Sequence, residues 1–324
     1  MNKYLNPINY IKFTINKVLE FISPIIRIWE NKYLEKYGNI PLKHQPVFII
    51  GAPRTGSTIL YEVITNQLDV LYIDNLICKF FRNLFFGFWL SDKIFKQKAH
   101  NCFKSEFGNT EKYGLDAPSE CGAFWYRWLP KDRHFIDYND INDKIIKEIR
   151  TEITAVINYF NKPIVFKNLN AGQRMRLLKK CFPNAKFIFV KREQIFTAQS
   201  ILKAKRKLGI KDNEWWSIMP PNVEELKKLN GYEQVVKQIF YLEKQIMEDK
   251  DWFPPQNFII VHYEEMCENL EKTLDLCKTF IGAKSRKNFL KPKIASSNKL
   301  VLPQKEIEIL MREINKLDWE NYSD

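Results

Sequence analysis

The sequence predicts an α/β fold: a central parallel sheet flanked by helices, with a long helical insertion after the first βα unit. Three observations lead there. Four short, almost wholly apolar runs recur, at Pro46–Ile50, Ile164–Phe166, Lys186–Val190 and Phe258–Val261, as expected of strands buried on both faces of a parallel sheet. Each run passes through a polar turn into residues with helical apolar spacing, the pattern of right-handed βαβ units. Between the first and second runs, residues 75–160 hold the insertion, which reads as helical.

Ahead of the sheet, residues 8–37 carry apolar side chains at roughly helical spacing (Ile11, Ile15, Val18, Leu19, Ile22, Ile26), with an interruption expected near Pro24 and an end at Gly38. The chain therefore divides into an N-terminal helical arm, 1–45, and an α/β domain, 46–324. With 324 residues and 45% hydrophobic content it can bury a sizeable core, and 14% aromatic residues argue against long disordered stretches. Six cysteines show no CxxC pair and no metal-ligand spacing, so reduced, mostly buried thiols in a reducing compartment are expected. The N-terminus lacks the continuous apolar core of a signal peptide, and the run Leu84–Leu90 is far too short for a transmembrane segment. The expectation is a soluble, cytoplasmic protein. Its net charge of +13 suits an anionic partner (nucleic acid, membrane headgroups or a phosphorylated cofactor), or is simply spread over a solvated surface.

The first run leads into Gly51-Ala-Pro-Arg-Thr-Gly-Ser-Thr58, followed by the helical pattern Ile59, Leu60, Val63, Ile64. This has the length of the Walker loop GxxxxGK[ST], with Ser57 where the lysine belongs. Gly51 and Gly56 allow a tight turn whose amides, at a helix N-terminus, face an anion. Arg54 can fork onto phosphate or sulfate oxygens, and Thr55, Ser57 and Thr58 add hydroxyls. The lysine that reaches the terminal phosphates of a nucleoside triphosphate is missing, and so is an acidic strand end to hold magnesium. The fold class is accordingly P-loop-like. A second anion site is suggested by Arg192, at the end of the run Lys186–Arg192, and Ser200, eight residues on in the next helix.

Together these segments resemble the sulfotransferases that use 3′-phosphoadenosine 5′-phosphosulfate (PAPS), most closely the bacterial and carbohydrate-type branches. Pro53-Arg-Thr-Gly-Ser-Thr58 is similar to the family's first loop, which holds the 5′-phosphosulfate, and Arg192 with Ser200 is similar to its 3′-phosphate motif. Ile164-Val-Phe-Lys167, Phe182-Pro-Asn-Ala185 and Phe258–Leu274 match further family segments in order, so the resemblance covers residues 46–66 and 163–282. It implies PAPS as co-substrate, no metal, and transfer of a sulfuryl group to a hydroxyl or amine of a small-molecule, sugar or lipid acceptor, with no specific nucleic acid partner. It places Arg54, Thr55, Gly56, Ser57, Thr58, Arg192 and Ser200 on the donor. The chain departs from the pattern where the cytosolic branch has a catalytic His, since Leu169 stands there; Arg286, Lys287, Lys293 and Lys299 remain unranked candidates for its C-terminal cationic loop.

Sulfuryl transfer needs a base for the acceptor proton and cations for the charge on the transferring oxygens. Arg54 and Lys167 are the expected cations; Lys167 either reaches the donor or is an ordinary solvated strand-end lysine. Glu120, within Asp116-Ala-Pro-Ser-Glu120-Cys-Gly-Ala-Phe-Trp, is the candidate base, because a carboxylate after a proline turn and before an aromatic run suits a poorly solvated pocket. The alternative is a helix cap. His134 is held in reserve. Trp125, Tyr126, Trp128 and the aromatics of Phe80–Trp89 line an acceptor site or build the insertion's core. A P-loop kinase or NTPase with a degenerate lysine is the enzymatic alternative, and a polyanion-binding module the non-enzymatic one.

Overall fold

The structure, a computed structural model, describes residues 7–292 and 294–319, with residues 7–12 described through their backbone alone. Lys293, one of the unranked cations, lies outside the described residues. In chain order the elements are α1 (Pro7–Gly38), β1 (Val47–Gly51), α2 (Ser57–Gln67), α3 (Asn75–Lys79), α4 (Leu84–Phe95), α5 (Gly122–Trp125), α6 (Asp143–Phe160), β2 (Val165–Lys167) and α7 (Met175–Cys181). There follow β3 (Lys186–Lys191), α8 (Gln194–Lys207), α9 (Val223–Leu226), α10 (Gly231–Lys250), β4 (Phe258–His262), α11 (Tyr263–Glu268), α12 (Leu270–Ile281) and α13 (Gln304–Ile314).

The described strands form one parallel sheet in the order β2-β1-β3-β4, with Val47 opposite both Val165 and Lys186, and Lys191 opposite His262. Strand alternation divides its residues between two cores. Phe48 and Ile50 point to one face with Phe166 and Phe187, where α6, α7 and Trp125 cover them. The rings of Phe166 and Phe187 lie 5.3 and 5.7 Å from Phe48. Val47 and Ile49 point to the other face with Val165 and Ile188, under Leu60 and Ile64 of α2 and Cys277 and Ile281 of α12. Burial on both sides explains why these strands read as unbroken apolar runs.

The expected interruption near Pro24 is not present: α1 continues through it from Pro7 to Gly38. Both Pro24 and Glu20, whose carbonyl loses its helical partner, are exposed, so water can take up the acceptor that the missing N–H leaves. The C-terminal half of α1 is held by buried charge. Glu30 accepts from Phe86 N at 3.0 Å and Asn83 Nδ2 at 3.2 Å, and Arg27 bridges Glu30 and Glu152. Between α4 and α6 the insertion carries few regular elements, and this stretch folds over the carboxyl end of the sheet.

Candidate active site

The loop after β1 is built by backbone conformation. Arg54 has φ 73° and Gly56 φ 88°. A Cβ at Gly56 would stand 2.4 Å from the Tyr263 ring, so glycine is required on two counts. α2 then starts at Ser57 with no side-chain cap on its first amides. Thr55 turns its hydroxyl back onto the Ala52 carbonyl at 3.0 Å, so that hydroxyl is engaged within the loop.

Three of the residues singled out from sequence meet at Arg54. Its Nε donates to Ser200 Oγ at 3.0 Å, and its carbonyl accepts from Arg192 Nη1 at 3.0 Å. Arg192 also donates to Asn298 Oδ1 at 2.9 Å and Ser297 Oγ at 3.1 Å, with its guanidinium 4.5 Å from the Tyr263 ring centre. Burial, then the Arg192 charge, lowers the Arg54 pKa; burial lowers that of Arg192. Neither guanidinium makes an ion pair with a carboxylate among the described residues, which leaves two partly desolvated cations side by side. Phe107 of the insertion lies over Arg54 at 5.7 Å.

Lys167 closes β2 and is 3% exposed, contrary to a solvated strand-end lysine. Its Nζ pairs with Glu120 Oε1. Glu120 does not cap α5, whose N-cap is Cys121 without a side-chain bond. A Cβ on Gly108, where φ is +91°, would lie 2.8 Å from Glu120 Oε1 and 3.5 Å from both Lys167 Nζ and Thr58 Oγ1. One point in space therefore touches the insertion's carboxylate, the strand-end cation and the first turn of α2. Glu120, Gly108 and Phe107 also line a cavity of about 760 Å³, walled further by Phe80, Phe81 and Leu19. Trp125, by contrast, is buried core.

His134 is buried, and its Nδ1 accepts from Met219 N at 2.9 Å. Burial, with the Arg174 charge, pushes its pKa down to about 4, so the ring is neutral at pH 7 and a poor proton acceptor. Of the cationic-loop candidates, Arg286 is engaged by the Leu68 and Gln97 carbonyls, whereas Lys287 and Lys299 are exposed.

Two features went unnoticed in the sequence. Glu62, one turn after Thr58 on α2, is 2% exposed, and its Oε1 has no hydrogen-bond partner among the described residues. Burial raises its pKa to about 7 against the lowering charge of Lys167. A glutamate inside the otherwise apolar run Ile59–Ile64 was the available signal. Ser297 and Asn298 are the other, in a stretch without periodicity; Asn298 also donates to Glu264 Oε1 at 2.7 Å.

A family model described as "Sulfotransferase family" matches residues 46–284. The chain belongs to the sulfotransferase family. The match begins beside β1 and ends after α12, so it contains the loop, Glu120, Lys167, Arg192 and Ser200, and leaves α1, Ser297 and Asn298 outside. Among solved structures, sulfotransferase STF9 from Mycobacterium avium aligns with TM-score 0.50 and 13% identity, covering 90% of this chain and 72% of the other. Sulfotransferase STF1 from Mycobacterium tuberculosis aligns with TM-score 0.49 and 10% identity, covering 98% and 84%. No curated protein matches the sequence. This sulfotransferase thus has the P-loop-like α/β fold expected of it, and family and fold together support sulfuryl transfer.

Proposed function

We propose that the protein transfers a sulfuryl group from PAPS to a hydroxyl of an acceptor held in the cavity that ends at Glu120. The observation that carries this reading is the Glu120–Lys167 pair, set between that cavity and the first turn of α2. The residues present fit the donor. The uncapped amides of α2 and Arg54 suit a phosphosulfate, and Arg192 with Ser200 suits a second phosphate, because two neighbouring guanidiniums, neither in an ion pair among the described residues, are relieved by an anion. In the transfer, the acceptor oxygen bonds to sulfur as the sulfur–oxygen bond to the phosphate breaks. The hydroxyl proton passes to Glu120, and adenosine 3′,5′-bisphosphate leaves. Lys167 balances the charge on the oxygens beside it, and its bond to Glu120 keeps the carboxylate aimed at the cavity.

The test uses radiolabelled PAPS with pooled metabolites, comparing wild type with Glu120→Gln. The variant should bind adenosine 3′,5′-bisphosphate with unchanged affinity and lose about 10²–10⁴ in turnover, the usual worth of a general base. Normal turnover in Glu120→Gln, with loss in His134→Ala, would transfer the role to the histidine.

A further inference from the structure

The point where Glu120, Lys167 and the first turn of α2 meet lies against the tip of a hairpin. Glu106 and Asn109 exchange both backbone hydrogen bonds, each at 2.9 Å. The two residues between them, Phe107 and Gly108, have φ 52° and 91°, the pair of positive values that a tight two-residue turn uses. Lys104, Ser105, Glu106 and Asn109 are exposed, while Phe107 and Gly108 are half-buried, so it is the tip that enters the site. Phe107 lies against two cations, Arg54 at 5.7 Å and Lys207 at 5.5 Å, and meets the Trp216 ring in a T-shaped contact at 6.3 Å. Gly108 sits so deep that a Cβ on it would come within 2.8 Å of Glu120 Oε1. A buried residue anchors the segment on each side. The Cys102 amide donates to His100 Nδ1 at 3.2 Å, and Thr110 Oγ1 donates to the Pro118 carbonyl at 2.7 Å. None of residues 103–109 belongs to the apolar cores, so they can swing between these anchors without opening one.

We propose that the hairpin Glu106–Asn109 is a lid over the point of transfer, latched by Phe107, and that it lifts as the donor seats. This rests on the sulfotransfer reading of the site. Transfer needs one place within reach of α2, Lys167 and Glu120 together, and Gly108 stands beside such a place. The sulfuryl group and the hairpin tip therefore claim the same space. At Arg54 an anion also competes with the Phe107 ring for the guanidinium. A charge-assisted hydrogen bond is stronger than a cation's contact with a ring, so the exchange runs toward the donor. The backbone favours lifting as well. A bulky residue at φ 52° is costly and persists where its surroundings hold it. What holds Phe107 is its contact with Arg54, Lys207 and Trp216, and an anion on Arg54 removes the first of these.

Calorimetric binding of PAPS, without any acceptor, tests the lid through the sign of the effect. Phe107→Ala releases the latch, and a site that the lid covers most of the time should then bind PAPS about three- to tenfold more tightly. Lys207→Met takes the second cation from the ring and should act in the same direction. Removing a positive charge near the site would otherwise weaken the binding of an anion. Trp216 reports the movement: PAPS should change its emission as Phe107 leaves it, and that change should be missing from Trp216→Phe. Weaker or unchanged PAPS binding in either variant, provided it melts as wild type does, overturns the lid. So does Trp216 emission that PAPS leaves unmoved. If neither PAPS nor adenosine 3′,5′-bisphosphate binds wild type or the variants, the donor reading itself has failed and the lid falls with it, whereas normal wild-type binding that Phe107→Ala weakens overturns the lid alone.

Discussion

Glu120 and Lys167 stand 47 residues apart in the chain and share one bond, which makes them the residue-scale centre of the site. Both were legible in the sequence for local reasons: Lys167 ends an apolar run, and Glu120 follows a proline turn and precedes an aromatic run. Their partnership was not, because nothing local states that the insertion folds back over β2. Glu62 was missed for the opposite reason, since a single acid in an apolar helical pattern reads as an exposed position that the core happens to flank. Its environment has a measurable consequence. Its carboxyl, raised to about 7 by burial, is neutral in the folded protein over a range where the unfolded chain is already ionised. A raised folded pKa of this kind contributes stability that is fully present below the ordinary value near 4.5 and is lost as pH climbs through about 7. Asp74, likewise raised to about 7 by burial, acts in the same window. Denaturant unfolding between pH 5 and 8 should therefore show a decline in wild type that is shallower, though not flat, in Glu62→Gln. An equal slope in the two proteins would mean that Glu62 is solvated or already charged when folded.

At the scale of elements, the four strands were legible because burial on both faces leaves no polar residue to break an apolar run. The continuity of α1 through Pro24 was not, because the cost of a helical proline depends on whether the orphaned carbonyl meets water, and only the fold decides that. The elements around the proposed donor site converge on a loop whose shape is fixed from three sides. β1 delivers it, Arg192 at the end of β3 holds its Arg54 carbonyl, and Ser200 on α8 holds the Arg54 side chain. Arg192 is in turn gripped by Ser297 and Asn298, so it is positioned whether or not a donor is present. Such preorganisation means that Arg192 loses little side-chain freedom on binding. Arg192→Ala should weaken adenosine 3′,5′-bisphosphate binding by about 2–4 kcal/mol, the usual cost of removing one partner from a buried charge-paired contact. Titration calorimetry decides it, and wild-type affinity in the variant would detach Arg192 from the donor.

For the molecule as a whole, the sequence divides into an expected N-terminal arm, 1–45, and an α/β domain, and this division bears on how the chain unfolds. The two halves of α1 have different surroundings. Phe13 to Val18 are all exposed, whereas Leu34 is buried in the same apolar cluster as Phe48, Phe85 and Ile153, and Tyr33 stacks on Phe85 at 4.7 Å. Glu152 ties the helix to the insertion through Arg27 and Arg127 together. An element that shares its core with the sheet and its ion pairs with the insertion should melt with both. We therefore expect calorimetry to give one cooperative transition for the full chain, in which Leu34→Ala lowers stability by about 2–5 kcal/mol through the cavity it leaves. The whole transition should move to lower temperature, because the lost contacts belong to the core that also packs Phe48 of β1. If α1 instead melts first, in a separate step that Leu34→Ala advances while the main transition stays in place, the arm is an independent unit.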